Sequence, residues 1–341
     1  MAKIRIIDAT LRDGMHAVGH RFTPEDMATI AAALDAAGVD TIEIGHGDGL
    51  GGSTFQYGFA VASDEDYLKA VSSVLTRTKL DILILPGIGT EPDIELGAKY
   101  GAKVARIATH VTEADIGAQH IAFSKKLGLE AVGFLMMAHM APVETVVEQA
   151  KLFESYGADL VYVTDSAGAM LPWQVSEKIA AVKAAVSIPV GFHGHNNLGL
   201  AIANTIAAVQ AGAGCVDGCL CGLGAGSGNA QTEVLAAVFD LMKIDTGIDL
   251  YAAMDAAEDL VRPRMRRPQA IDKLGLSIGW AGVYGSFLLH SIRAGERFGV
   301  DPRDILVELG RMKTVGGQED LIIDVAAKLA AEKAKQHALA E

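Results

Sequence analysis

His193-Gly194-His195 is the segment whose residue types and spacing say most about chemistry. In an extended strand, side chains at i and i+2 point the same way, so both imidazoles stand on one side. Gly194 keeps the neighbouring face open. A His-x-His pair alone is short and common, and it needs an anionic partner to read as a metal site. Asp13, which follows an apolar run near the N-terminus, can supply it if the fold brings the two segments together. Two imidazoles and one carboxylate leave positions open for substrate and water, and the mixed nitrogen and oxygen set suits Mn²⁺, Mg²⁺ or another divalent ion.

Arg12 stands beside Asp13. A surface ion pair is worth only about 0–1 kcal/mol and would be a weak reason for an arginine there. Charge balance is a stronger one, because a fixed guanidinium can offset the second negative charge of an enolate. His16 and His20 follow closely, and either can serve as a general base. His46, His110, His139 and His290 read as ordinary polar or loop residues, and the clustered Cys215, Cys219 and Cys221 as buried small hydrophobes. Tyr284 lies in the glycine-flanked stretch Gly279–Gly285, which reads either as core or as a point of close approach to another surface.

Several chemistries are excluded. Gly222–Gly228 lacks the spacing of a dinucleotide loop and follows the last strand instead of the first. No nucleophile elbow or P-loop occurs. The apolar runs contain no lysine, so a Schiff base is not available and a carbanion would need a metal as electron sink.

These residues need elements to position them. Short β-branched runs alternate with longer alanine-rich segments of helical period. Strands are expected at 4–7, 41–44, 80–85, 104–108, 129–136, 160–164, 190–193 and 215–219. Helices are expected near 23–37, 64–75, 94–100, 114–127, 143–156, 172–185, 201–211 and 232–243. Unalternating apolar strands are buried on both faces, as in parallel sheets. Eight such units point to an α/β fold, a (β/α)8 TIM barrel over residues 1–245 with a helical C-terminal region over 246–341; a doubly wound sheet is the runner-up. In a barrel the loops after the strands carry the chemistry, and strand 8 alone separates strand 7 from strand 1.

Composition agrees. The chain has 341 residues, 50% of them apolar and 21% charged, which is ample for a large core. A net charge of −13 and 6% aromatics argue against a nucleic acid partner or an anionic membrane. The basic run Arg262–Arg267 reads as a solvated or interface-lining element in so acidic a chain. The N-terminus has no apolar core of a signal peptide, the longest apolar stretch (278–292) is too short to span a bilayer, and three clustered cysteines fit a reducing compartment, so a cytoplasmic location is expected.

Asp8-Ala9-Thr10-Leu11-Arg12-Asp13-Gly14 together with His193-Gly194-His195-Asn196 resembles the metal-dependent lyase barrels that include isopropylmalate synthases, hydroxymethylglutaryl-CoA lyases and pyruvate aldolases. The Met15-His16 step and Glu43–Gly49, Leu85–Thr90 and Asp165–Gly168 make the sequence most similar to the 4-hydroxy-2-oxovalerate aldolases, over essentially the whole chain. The resemblance implies that Asp13, His193 and His195 hold the metal, usually Mn²⁺, with Mg²⁺ or Co²⁺ as substitutes. It implies a 4-hydroxy-2-oxo acid as substrate, cleaved to pyruvate and an aldehyde in aromatic or steroid catabolism. Arg12 would stabilise the enolate and His16 take the 4-hydroxyl proton. Tyr284 would position substrate from the C-terminal region, Ser166 contact the carboxylate, and Leu83 and Leu85 line the aldehyde end. It also implies a complex with an acylating acetaldehyde dehydrogenase, which receives the aldehyde directly and docks on the C-terminal region. A Claisen-type synthase or acyl-CoA lyase on the same metal site is the enzyme alternative, and a catalytically silent scaffold the non-enzyme one.

Overall fold

The computed structural model describes residues 3–340, with side chains through residue 336. Eight parallel strands close into a barrel in chain order. They are β1 (Arg5–Leu11), β2 (Thr41–Ile44), β3 (Lys79–Ile84), β4 (Val104–His110), β5 (Glu130–Met136), β6 (Leu160–Asp165), β7 (Val190–Gly194) and β8 (Cys215–Gly218). Pairing of β1 with β8, Asp8 opposite Gly218, closes the ring and excludes the doubly wound alternative.

Helices fill each return and begin where local chemistry satisfies their free amides. The helix Pro24–Ala37 starts with a capping box, Thr23 accepting from the Asp26 amide and Asp26 accepting from Thr23, and it ends at Gly38 with φ 85°. Asp64–Ser72 repeats the device with Ser63 and Asp66. Between strands and helices lies a continuous apolar layer that includes Ile42, Ile82, Ile107, Phe153 and Val163. Close approach is needed on β5, where a Cβ at Gly133 would overlap the Phe153 ring.

Several boundaries differ from the expected ones, and those of β1 and β8 bear on the site. β1 runs on to Leu11, so Asp8 and Thr10 lie inside the strand. The β1–β2 register shifts between Asp8 and Leu11, immediately before Arg12 and Asp13. Cys219 and Cys221 fall beyond β8, and Cys221 is only half-buried.

The repeat ends near residue 241, but the packing does not. Helix Leu250–Asp255 and the π-helical turn Ala256–Val261 lie against Pro24–Ala37, and Ala256, Ala257 and Val261 join the apolar layer of the barrel. A boundary at 245 therefore cuts through one packed layer. A second core forms farther on, from Ile278, Val283, Phe287, Ala294, Ile305, Leu306, Leu309, Ile322 and Val325, and Ala167 from the loop after β6 joins it. It is built by the helices Lys273–Ala281, Phe287–Phe298, Pro302–Arg311 and Leu321–Ala340. Among the described residues no helix is long and apolar enough to cross a membrane.

Candidate active site and metal centre

The strand ends meet at one mouth of the barrel. One ligand atom each from Asp13, His193 and His195 lies within 4.8 Å of the others, and all three residues are buried. On β7, Nδ1 of His193 lies 2.8 Å from Oδ2 of Asp217, which leaves Nε2 to face the site. Asn229 donates to Oδ2 of Asp13, and Arg12 Nη1 lies 3.1 Å from Oδ1. Gly224 is a glycine for this reason, since a Cβ there would stand 2.6 Å from Asp13 Oδ2 and would also strike Asn229. The donor set, its oriented imidazole and this cleared space fit a divalent cation.

Electrostatics point the same way. Burial pushes the Asp13 carboxyl up, but His195 and Arg12 outweigh it and hold it well below the usual carboxylate range. Burial lowers His195 to about 4, against the pull of Asp13, so its imidazole is neutral and able to ligate. Arg12 is no surface residue: its side chain and that of Asp13 are 6% and 4% exposed. Nε of Arg12 is 2.6 Å from Oε2 of Glu43, a buried pairing that fixes the guanidinium at the site rim.

A cavity of about 610 Å³ opens over these groups. Its walls bring together Arg12, Asp13, His16, Leu83, Leu85, Ser166, His193, His195 and Tyr284, and they include the helical region through Tyr284, Leu289 and Glu319. Leu83, on β3, and Leu85, just beyond the strand's end at Ile84, both line the cavity. The Ser166 hydroxyl accepts from the Met137 amide at 2.9 Å and keeps its own proton for a ligand. Tyr284 sits between two C-terminal helices; burial, then Asp48 and Asp13, push its phenol up, so it keeps its proton and can donate a hydrogen bond.

Three histidines cluster beside the cavity, His16 and His20 lining it and His46 stacked on His20, and their surroundings differ. His46 accepts from the Asp48 amide at 3.1 Å and reaches the Gly58 carbonyl at 3.0 Å, so both its nitrogens are engaged. His20 stacks on it with ring centres 3.7 Å apart, and burial, then His16 and His46, bring His20 down to about 3. Among the described residues His16 has no side-chain hydrogen bond, and its ring lies edge-on to His20 at 5.2 Å. A Cβ at Gly47 would come within 2.5 Å of that ring, so the glycine makes its berth.

Glu43, Arg106, Asp217, Asn229 and Thr164 were not singled out from sequence as site residues. A signal existed for three of them: ionisable residues inside apolar strands, as in Val104-Ala105-Arg106-Ile107 and Cys215-Val216-Asp217-Gly218, must find partners. Thr164, opposite His193 in register, has a buried hydroxyl without a partner among the described residues and lines the cavity. The Arg262–Arg267 run divides: Arg264 pairs with Asp26, while Arg267 reaches the cavity rim.

Comparisons with known proteins follow the same division of the chain. Residues 3–261 match the HMGL-like family and residues 269–331 the DmpG-like communication domain. The carboxyl transferase domain of Rhizobium etli pyruvate carboxylase superposes with a TM-score of 0.80 at 16% identity, over 97% of this chain and 60% of that one, a likeness of fold. A 4-hydroxy-2-oxovalerate aldolase of Carboxydothermus hydrogenoformans is 70% identical over 327 residues, 96% of this chain and 97% of the relative. One from Pelotomaculum thermopropionicum is 62% identical over 98% of both. A barrel with this buried centre, a C-terminal communication domain and such identity along the whole length place the chain in the 4-hydroxy-2-oxovalerate aldolase family.

Proposed function

We propose that the protein cleaves 4-hydroxy-2-oxovalerate to pyruvate and acetaldehyde. The observation that carries the reading is the convergence of Asp13, His193 and His195 with Arg12 and an uncommitted His16 in one cavity. Retro-aldol cleavage breaks the C3–C4 bond, so it needs a base for the 4-hydroxyl proton and a sink for the electron pair that moves toward C2. A divalent ion held by Asp13, His193 and His195, most suitably Mn²⁺, supplies Lewis acidity to the 2-oxo acid when bound. Arg12, held by Glu43, offers fixed positive charge where the enolate oxygen develops. His16 takes the 4-hydroxyl proton, because its neighbours His20 and His46 are engaged with each other and with the backbone. Ser166 donates to the carboxylate and the Tyr284 phenol positions the substrate from above. Leu83 and Leu85 present an apolar wall to the methyl end.

The communication domain implies association with an aldehyde dehydrogenase. We assign residues 269–331 as the docking region for an acylating acetaldehyde dehydrogenase, which would take up the volatile, reactive product before it escapes. The family relationship and the large share of the cavity wall contributed by this region support that reading.

Pyruvate release from 4-hydroxy-2-oxovalerate, followed through lactate dehydrogenase, tests the activity. Turnover should vanish with a chelator and return with added Mn²⁺. Chelator-insensitive turnover, or none, would remove this reading.

A further inference from the structure

Arg106 lies in the barrel interior with no solvent exposure, opposite Leu83 on β3 and Val132 on β5. Its guanidinium carbon is 4.4 Å from the ring centres of both Phe134 and Tyr162, which fixes the plane of the group. Nη2 donates to Oδ2 of Asp217 on β8 at 2.6 Å, and Nη1 is 3.3 Å from Oε1 of Glu43 on β2. Each anion has a second duty. Asp217 holds Nδ1 of His193 at 2.8 Å, and Glu43 holds Nε of Arg12 at 2.6 Å.

We infer that Arg106 is a positioning residue for the aldolase site: through Asp217 it sets the His193 imidazole, and through Glu43 it sets the Arg12 guanidinium. The inference rests on the aldolase reading above. Neither anion could do this alone. Asp217 meets Arg106 and His193 through one oxygen, Oδ2, and Glu43 meets Arg12 through Oε2 while its Oε1 lies in ion-pair range of Arg106, so each carboxylate stands between Arg106 and one site residue. A planar fork with separate nitrogens serves both partners at once, which the point charge of a lysine does not. A third carboxylate, Asp81 on β3, is more distant at 3.9 Å from Nε and makes no hydrogen bond among the described residues, whereas the two nearer anions both contact site residues, which a salt bridge that merely filled the core would not require.

The test uses the full chain with Arg106→Met and Arg106→Gln, uncharged side chains of similar length that can pack against the two rings. Metal-stripped variants should bind Mn²⁺ about 10–100-fold more weakly than the wild type, as loss of outer support for a ligand typically does. At saturating Mn²⁺, kcat should fall at least about 10-fold with KM changed far less, because Arg12 acts on charge that develops in the transition state. Arg106→Lys should recover at most one of the two properties. Wild-type Mn²⁺ affinity or wild-type kcat in a folded Arg106→Met or Arg106→Gln variant would overturn the inference. If neither variant folds, Asp217→Asn decides. It keeps an acceptor oxygen but removes the charge that Arg106 meets beside His193, so it should weaken Mn²⁺ binding; an unchanged Mn²⁺ affinity would overturn the inference. Failure of the wild type to cleave 4-hydroxy-2-oxovalerate would instead sink the aldolase reading, while the metal-affinity comparison would still be readable.

Discussion

Two adjacent histidine positions could each have been the base, and their surroundings separate them. His20 is stacked and neutral, whereas His16 stands free in a space that Gly47 leaves open. His16→Ala should therefore lose about 10²–10⁴ in kcat while keeping Mn²⁺ and pyruvate binding, measured by calorimetry. Retained turnover would reassign the base. Asp13→Ala removes the carboxylate of the ligand set, and metal analysis of the purified variant should find almost none bound. Gly47→Ala changes no catalytic group. Its methyl would displace the His16 ring, so kcat should drop while Mn²⁺ affinity stays.

At the scale of elements, tight contacts between strand and helix determine what the barrel tolerates. Gly133→Ala on β5 would drive a methyl into Phe153 and should cost about 1–3 kcal/mol by denaturant unfolding. The helix Thr232–Leu241 carries a different sensitivity. Burial raises the Glu233 carboxyl from 4.5 to about 7, opposed by amide hydrogen bonds, including that from Cys221. A carboxyl raised by folding stabilises the native state below its unfolded value, and that contribution is lost as pH rises through the folded value. Glu233→Gln should thus melt progressively higher than the wild type between pH 5 and pH 8, by up to about 3 kcal/mol. A constant difference across that window would contradict the assignment.

For the whole molecule, the two cores matter most. The barrel with its Leu250–Val261 layer has its own apolar core, and the C-terminal helices have a second one that meets the barrel through Ala167. A fragment ending near residue 268 should fold and bind Mn²⁺ yet lose most turnover, since Tyr284 and the cavity roof leave with the removed segment. Circular dichroism with metal titration and the pyruvate assay would check both halves of that expectation. The acidic surface that disfavours nucleic acid says little about the interior, where Arg12 and Arg106 are already paired with Glu43 and Asp217. Net charge therefore describes solubility, and the chemistry depends on a few strand-end groups.

Much of this was readable along the chain. Alternating apolar runs and glycine-terminated helices determined an eightfold α/β repeat, and His-x-His with Asp13 and Arg12 identified the centre, because period and ligand chemistry are local properties. The tertiary structure alone decided whether the repeat closed, where the barrel's packing ended, and which histidine was free. It alone also revealed Arg106, Asp217 and Glu43 as one connected set. Those residues come from β4, β8 and β2, and their partnership arises only when curvature of the sheet brings distant strands across one interior. Sequence spacing carries information along a strand or helix; contact across a barrel depends on closure, which no single segment encodes.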